Sequence, residues 1–216
     1  VSVRPSGRYG GCERRAGPTW DRVDAPVVVG AAPAPLPEPL RSRDGALIYL
    51  SLGSLGSADV ALMQRLVDLL ATTEHRVIVS KGPLADQIAL HDNQAGEAFL
   101  PQPAIIGQVD LVITHGGNNT VTEAFHHGLP MIVLPLFWDQ VDNAQRIDET
   151  GFGRRLATYD FRDEELTDAI DELLADQALA GRLAAMSRRI RASSGTVRAA
   201  DLIERGEPFG VEASKA

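Results

Sequence analysis

Residues 114–140 read THGGNNTVTEAFHHGLPMIVLPLFWDQ and hold the densest polar chemistry of the chain. His115, Gly116 and Gly117 follow the apolar run DLVIT (110–114). Two successive glycines let a backbone turn tightly and come close to a ligand. The next segment, NTVTEAFHHG (119–128), reads as a helix closed by a glycine. The first turn of a helix presents unpaired N–H groups and a partial positive charge. Such a turn holds anions, most often phosphate, and needs no cluster of lysines. With a helix beginning near 119, Asn119 and Glu123 stand at i, i+4 and Thr120 and Glu123 at i, i+3, so all three share one face. A carboxylate one turn in from a phosphate is placed to accept bonds from a ribose diol, as dinucleotide folds do with an acidic residue elsewhere. Phosphate, ribose and room beyond them describe a nucleotide with an attached group.

Each residue also has a purely structural reading. TVTE (120–123) fits the S/T-x-x-E capping box. His115 fits a satisfied core histidine, Trp138 a packing residue and Asp139 the cap of the following helix. GSLGS (53–57) alone is an ordinary glycine-containing turn. His126 and His127 read as helix surface and receive no role. What sets these readings against the ligand reading is where the elements place the residues.

The apolar runs APVVVG (25–30), ALIYLS (46–51), RVIVS (76–80), GEAFL (96–100), DLVIT and MIVLPL (131–136) read as strands. Helical spacing marks 58–73, where Met63, Leu66, Val67 and Leu70 recur, then 141–151, 162–176, 177–192 and 196–206. Strands alternating with helices predict parallel βαβ units, and continuous apolar runs predict strands buried on both faces. The expected fold is α/β: a doubly wound parallel sheet with a helical C-terminus. Residues 1–25 lack periodicity, and AAPAPLPEPL (31–40) reads as a stiff, extended linker. Residues 1–40 are therefore taken as lead-in and linker, and 41–216 as the binding domain.

In open α/β sheets, ligands bind beyond the carboxyl ends of the strands. Gly53 and Ser54, Lys81 and Gly82, Pro101 and Gln102, the His115–Gly117 turn, and Trp138, Asp139 and Gln140 all follow predicted strands. Five strand ends thus direct glycines or polar groups to one rim.

The chain of 216 residues is 44% hydrophobic, enough for a substantial core, and carries a net charge of −8 with a pI near 5.1. An acidic surface repels nucleic acid and anionic membrane, so neither is an expected partner. Runs such as MIVLPLFW are too short to span a bilayer. The single cysteine, Cys12, and a polar, basic start without a signal pattern fit a cytoplasmic protein. The start also lacks Met, which points to a fragment or a processed piece. No Asp, His or Cys spacing marks a metal site.

The stretch THGGNNTVTEAFHHGLPMIVLPLFWDQVDNAQR resembles the signature of glycosyltransferases that include the macrolide, plant secondary-product and UDP-glucuronosyl enzymes. The shared frame is H-G-G-x-x-T-x-x-E-A, then G-x-P, then P-x-x-x-D-Q-x-x-N-A. IYLSLGS resembles the first strand and serine loop of the donor half, and FLPQ (99–102) the base-binding W-x-P-Q. The resemblance runs from about 46 to 156. It implies a GT-B fold of two facing Rossmann-like domains, of which this chain matches the C-terminal, nucleotide-sugar-binding one. It further implies that Phe99, by stacking, Leu100, through its backbone, and Gln102 hold the base. Ser54, His115, Asn119 and Thr120 would hold the diphosphate, Glu123 the ribose, and Asp139 and Gln140 sugar hydroxyls, with Trp138 lining that pocket. Phe99 stands where plant members carry Trp, which leaves UDP-sugar and TDP-sugar both open.

The family's catalytic histidine, oriented by an aspartate, belongs to the N-terminal domain, so no catalytic residue is expected in this chain. The implied reaction moves a hexose to a small-molecule hydroxyl by single displacement with inversion, without cofactor or metal. The acceptor is reached through that other domain. Two alternatives stay open: a stand-alone nucleotide-sugar-binding subunit completed by a partner chain, and a nucleotide-sugar epimerase or hydrolase on the same fold. A dinucleotide reductase is disfavoured because GSLGS lacks G-x-G-x-x-G.

Overall fold

The computed structural model describes Val27, residues 32–192 and residues 195–205. The lead-in over 1–25 and the strand expected over 25–30 lie outside the described residues, Val27 apart. In chain order the elements are α1 (Glu38–Arg41), β1 (Leu47–Ser51), α2 (Gly53–Gly56), α3 (Val60–Ala71), β2 (Arg76–Ser80), β3 (Gln94–Glu97) and α4 (Gln102–Ile105). There follow β4 (Leu111–Thr114), α5 (Asn118–His127), β5 (Met131–Val133), α6 (Gln140–Glu149), β6 (Gly153–Arg155), α7 (Asp163–Ala175), α8 (Gln177–Arg191) and α9 (Gly195–Glu204).

Among the described residues, six strands form one sheet in the order β3-β2-β1-β4-β5-β6, and every pairing is parallel. This is the Rossmann-like order, doubly wound about the β1–β4 pair. In register, Ser51 stands beside Thr114, and Thr114 beside Val133. Thus β1, β4 and β5 end together. All five residues of β1 and all four of β4 are buried, as strands covered on both faces must be.

Helices cover the faces through single apolar stripes. On α3, Leu62, Met63, Leu66, Val67 and Leu70 are buried, and Asp59 caps the helix by accepting from Leu62 N–H at 3.1 Å. On α8, Leu179, Leu183 and Ile190 are buried, and Asp176 caps it at Leu179 N–H, 2.9 Å. Burying one such leucine contributes about 1.5–3 kcal/mol. Gly128 ends α5 in the left-handed conformation (φ 74°). Ser187 Oγ and Arg191 Nε of α8 both donate to the His126 carbonyl, so α8 is tied to the far end of α5.

Three features depart from the sequence reading. Strand β3 covers 94–97, not 96–100, because Phe99 and Leu100 already turn away towards Pro101 and α4. Strand β5 stops at Val133, just before Pro135, which has no N–H to donate. Strand β6, GRR, carries no apolar run: it is an edge strand with Arg154 and Arg155 exposed. Gly153 is needed there because a methyl group would lie 2.1 Å from the Met131 carbonyl oxygen.

The proline-rich segment is docked, not free. Ala34 N–H donates to the Ala104 carbonyl at 3.0 Å, Gln108 Nε2 donates to Ala34 O at 3.0 Å, and Leu40 is wholly buried in the core. Alternation of proline with small apolar residues fits an edge cover as well as a linker.

Candidate nucleotide site

Strand order reverses between β1 and β4, so the loops after these strands diverge and leave a crevice. The β1 loop supplies Gly53 and Ser54, the β4 loop His115, Gly116 and Gly117. The His115 imidazole lies between the two glycine backbones. A methyl on Gly53 would sit 2.8 Å from His115 Cε1, and one on Gly117 2.6 Å from Nε2. Gly53 has φ +69° and Gly116 φ +90°, conformations that favour glycine. Gly116 also has no room for a side chain, since a methyl would meet Val133 Cγ1 at 2.8 Å.

Burial pushes the His115 pKa below its ordinary value, outweighing a hydrogen bond to the Ser51 backbone and the pull of the Asp139 carboxylate. The imidazole is therefore neutral at pH 7, with one N–H to donate and one nitrogen to accept.

Helix α5 begins at Asn118 with Gly117 as its N-cap, and no side chain caps it. The N–H groups of its first turn are thus left to an incoming acceptor. This placement overturns the capping-box reading of TVTE. Thr120 is the third helical residue, not the cap, and Glu123 bonds Gln102 instead of backbone. Asn119 is exposed beside this turn, and Thr120 lies buried beneath it.

On the other side of α5, Gln102 Nε2 donates to Glu123 Oε2 at 2.6 Å and to Thr120 Oγ1 at 3.2 Å. Tyr49 O–H donates to Gln102 Oε1 at 3.1 Å. Gln102, expected beside the base, thus has both ends of its amide engaged within the protein. Phe99, 68% exposed, presents its ring to solvent just ahead of it, and Leu100 packs against the core with its carbonyl accepting from Gln102 N–H.

At the end of β5 the chain turns through Phe137 and Trp138. Trp138 has φ +55°, the one non-glycine positive φ among the described residues, and is 77% exposed. Its ring is held edge-on to Phe137, with centroids 4.8 Å apart. A strained, exposed tryptophan at a strand end is not packing, which removes the structural reading of this residue. Asp139 stands at the N-cap position of α6, but its side chain does not cap. It accepts from Asn118 Nδ2 at 2.7 Å. Asn143 Nδ2 donates to the Gly116 carbonyl at 2.9 Å and to Asn118 Oδ1 at 3.0 Å. Asn118 and Asn143 therefore lock the His-Gly-Gly turn to Asp139, a role the sequence reading missed. Gln140 is 4% exposed, and its Oε1 accepts from Leu136 and Phe137 N–H. Only its Nε2 remains for a ligand. Ser54 is exposed on α2 at the mouth of the crevice.

The structure thus brings Ser54, His115, Gly116, Gly117, Asn119, Thr120, Glu123, Gln102, Trp138, Asp139 and Gln140 to one rim, with Phe99 and Leu100 at its edge. Among the described residues, no group of three His, Cys, Asp or Glu could hold a metal, and no helix is long and apolar enough to cross a membrane.

Comparison with known proteins agrees with this geometry. Residues 42–190 match the family model described as UDP-glucoronosyl and UDP-glucosyl transferase. The zeaxanthin glucosyltransferase of Pseudescherichia vulneris is 34% identical over 176 residues, covering 79% of this chain and 42% of that protein. The oleandomycin glycosyltransferase of Streptomyces antibioticus is 35% identical over 137 residues, 60% of this chain and 30% of that protein. Among solved structures, the glycotransferase of kitacinnamycin superposes with a TM-score of 0.70 at 30% identity, covering 84% of this chain and 47% of that one. CalG4, the calicheamicin glycosyltransferase, gives 0.69 at 25%, covering 88% of this chain and 46% of that one. The chain spans less than half the length of these relatives. With the family model covering well over half its residues, the chain belongs to the UDP-glucuronosyl and UDP-glucosyl transferase family.

Proposed function

We propose that this chain is the nucleotide-sugar-binding half of an inverting glycosyltransferase. It holds a UDP- or TDP-hexose for attack by a hydroxyl of a small-molecule acceptor. The observation that carries this reading is the seat of His115. The imidazole lies clasped between two glycine loops, beside an uncapped helix N-terminus, at the switch point of a parallel sheet.

In this reading residues 41–216 form the binding domain and 1–40 lead into it. Phe99 stacks on the base and the Leu100 backbone bonds its edge. Glu123, held by Gln102, accepts from the ribose hydroxyls. Ser54, His115, Asn119, Thr120 and the first-turn N–H groups of α5 surround the diphosphate, which the two glycines admit closely. Asp139 and the Nε2 of Gln140 meet sugar hydroxyls, with Trp138 as the wall. When the acceptor oxygen bonds C1 of the sugar, the bond from C1 to the diphosphate oxygen breaks. Negative charge then grows on the leaving diphosphate. Donors fixed in advance around it stabilise that charge without reorganising. The base that takes the acceptor proton lies in the acceptor half, and the whole enzyme works in the cytoplasm without a metal.

Calorimetric titration of the 216-residue chain with UDP, TDP and NAD tests the proposal. UDP or TDP binds in the micromolar to millimolar range, weak because no second domain covers the sugar. A clear preference for NAD sinks it.

A further inference from the structure

The buried hydroxyl of Tyr49 has no part in the nucleotide contacts, yet its partner Gln102 holds a residue that does. Tyr49 lies in β1, the central strand, and is 1% exposed. A phenylalanine would fill the same space with no polar atom to satisfy. A hydroxyl buried there needs a hydrogen-bond partner. It donates to Gln102 Oε1 at 3.1 Å, with the Ser51 and Ser80 side chains also bonded to the phenol, while Gln102 Nε2 reaches Glu123 Oε2 at 2.6 Å and Thr120 Oγ1 at 3.2 Å. The result is one chain of donors running from the sheet core to a carboxylate on the rim.

We propose that Tyr49 is a positioning residue for nucleotide recognition: through Gln102 it fixes the Glu123 carboxylate that meets the ribose diol. The inference rests on the donor-site reading above. Glu123 alone is a half-buried side chain with several rotamers, and a carboxylate free to rotate loses entropy on meeting two hydroxyls. Gln102 alone would be anchored at one end only. With Tyr49 at the other end, the amide is held between a rigid strand and the carboxylate. Glu123 Oε1 has no partner among the described residues, and Oε2 keeps a second lone pair, so one carboxylate still serves two hydroxyls. Burial also raises the Tyr49 pKa, so the phenol remains a donor throughout the neutral range. The consequence is specificity. The chain of donors sharpens the preference for a ribonucleotide over one lacking ribose hydroxyls and leaves diphosphate binding alone.

The test is the affinity of the 216-residue chain for UDP and for 2′,3′-dideoxy-UDP. The wild type prefers UDP by about tenfold or more, the effect of bonds to a charged group. If it has no preference, the ribose assignment of Glu123 is wrong, and the inference falls with it. Given that preference, Tyr49→Phe lowers it by about three- to tenfold, through weaker UDP binding at unchanged dideoxy-UDP binding. A loss shared equally by both ligands, or no loss, overturns the role of Tyr49 while leaving the ribose assignment standing. Gln102→Leu supplies the second arm, which also decides the matter if Tyr49→Phe does not fold. It produces a similar loss of preference, and adding Tyr49→Phe to it produces no further loss. Full preference in Gln102→Leu breaks the chain of donors and overturns the inference.

Discussion

The two ends of the sheet use polar residues in opposite ways. At the amino ends, the residue just before each of three strands is polar and serves the main chain. His75 accepts from Ala46 N–H, Asp110 from Leu47 N–H at 2.7 Å, and Asn93 donates to the carbonyls of Leu70 and His75 at 3.0 and 2.9 Å. At the carboxyl ends, polar side chains mostly bond one another, as Asn118, Asp139 and Asn143 do, and Glu123 and Gln102. There too stand the exposed apolar groups Leu55, Phe99, Trp138 and Tyr159. A polar group whose bonds end on backbone stabilises the fold. One aimed at other side chains, beside uncovered apolar surface, is held ready for something else. Gln140 belongs to both kinds, with its oxygen on the turn and its amide nitrogen left over.

Removing an amino-end group should give the largest effect, and on stability alone. Asn93→Leu takes the side-chain donor from the buried His75 carbonyl, removes one of the donors to the Leu70 carbonyl, and places an apolar group in a polar seat. It should cost about 3 kcal/mol, or roughly 6–12 °C in melting temperature, with UDP affinity unchanged. A matching loss of affinity would erase the division between the two ends.

Glu123→Ala is the reverse case. It should cost roughly 1.5–3 kcal/mol of UDP binding and abolish the distinction between UDP and its dideoxy analogue. Thermal melting should barely move, since Glu123 makes no cap. Calorimetry and melting on one sample separate the two outcomes.

Gly53→Ala sharpens the comparison, because a methyl there strikes His115 at 2.8 Å and sits at φ +69°. Stability should fall by about 1–2 kcal/mol from the left-handed backbone, and diphosphate affinity should fall with it. Unchanged affinity would show that the imidazole is not held for a ligand.

Legibility in the sequence differs by level. The parallel sheet was legible because its central strands are unbroken apolar runs, LIYL and LVI among them. Strand β6 was not, because an edge strand of glycine and two arginines carries no apolar signal. The rim was legible from the glycines and polar residues that come directly after each strand. Its internal wiring was not. Asn143 is 25 residues from Asn118 and 27 from Gly116, and only the fold makes them neighbours. Tyr49 reads as one more apolar strand residue until its hydroxyl is seen on Gln102. The positive φ of Trp138 has no sequence signature, and the TVTE capping match was local pattern without the local structure.

The smallest expected effect is on pH dependence. Burial holds His115 below its ordinary pKa, so the unfolded chain binds more protons there than the folded one. Its share of stability is full above about pH 6.5 and declines as pH falls through that value. His126 and His127, lowered by burial first and then by neighbouring positive charge, act with the same sign. A bound diphosphate opposes the shift at His115 alone. Nucleotide should therefore protect the wild type from acid more than it protects His115→Asn, in melting curves taken with and without UDP across pH 5 to 8. Equal protection of both would place His115 away from the phosphates.

The most direct test compares two histidines, one at each end of the sheet. His75→Ala and His115→Ala are measured side by side for melting temperature and for affinity towards UDP and uridine. On this account His75→Ala melts earlier and binds UDP as the wild type does. His115→Ala keeps its melting temperature and loses about 1.5–3 kcal/mol of UDP binding, with little change for uridine, which lacks the diphosphate. If His115→Ala instead melts early and keeps its UDP affinity, His115 is a core residue and the carboxyl end of this sheet is not the nucleotide site.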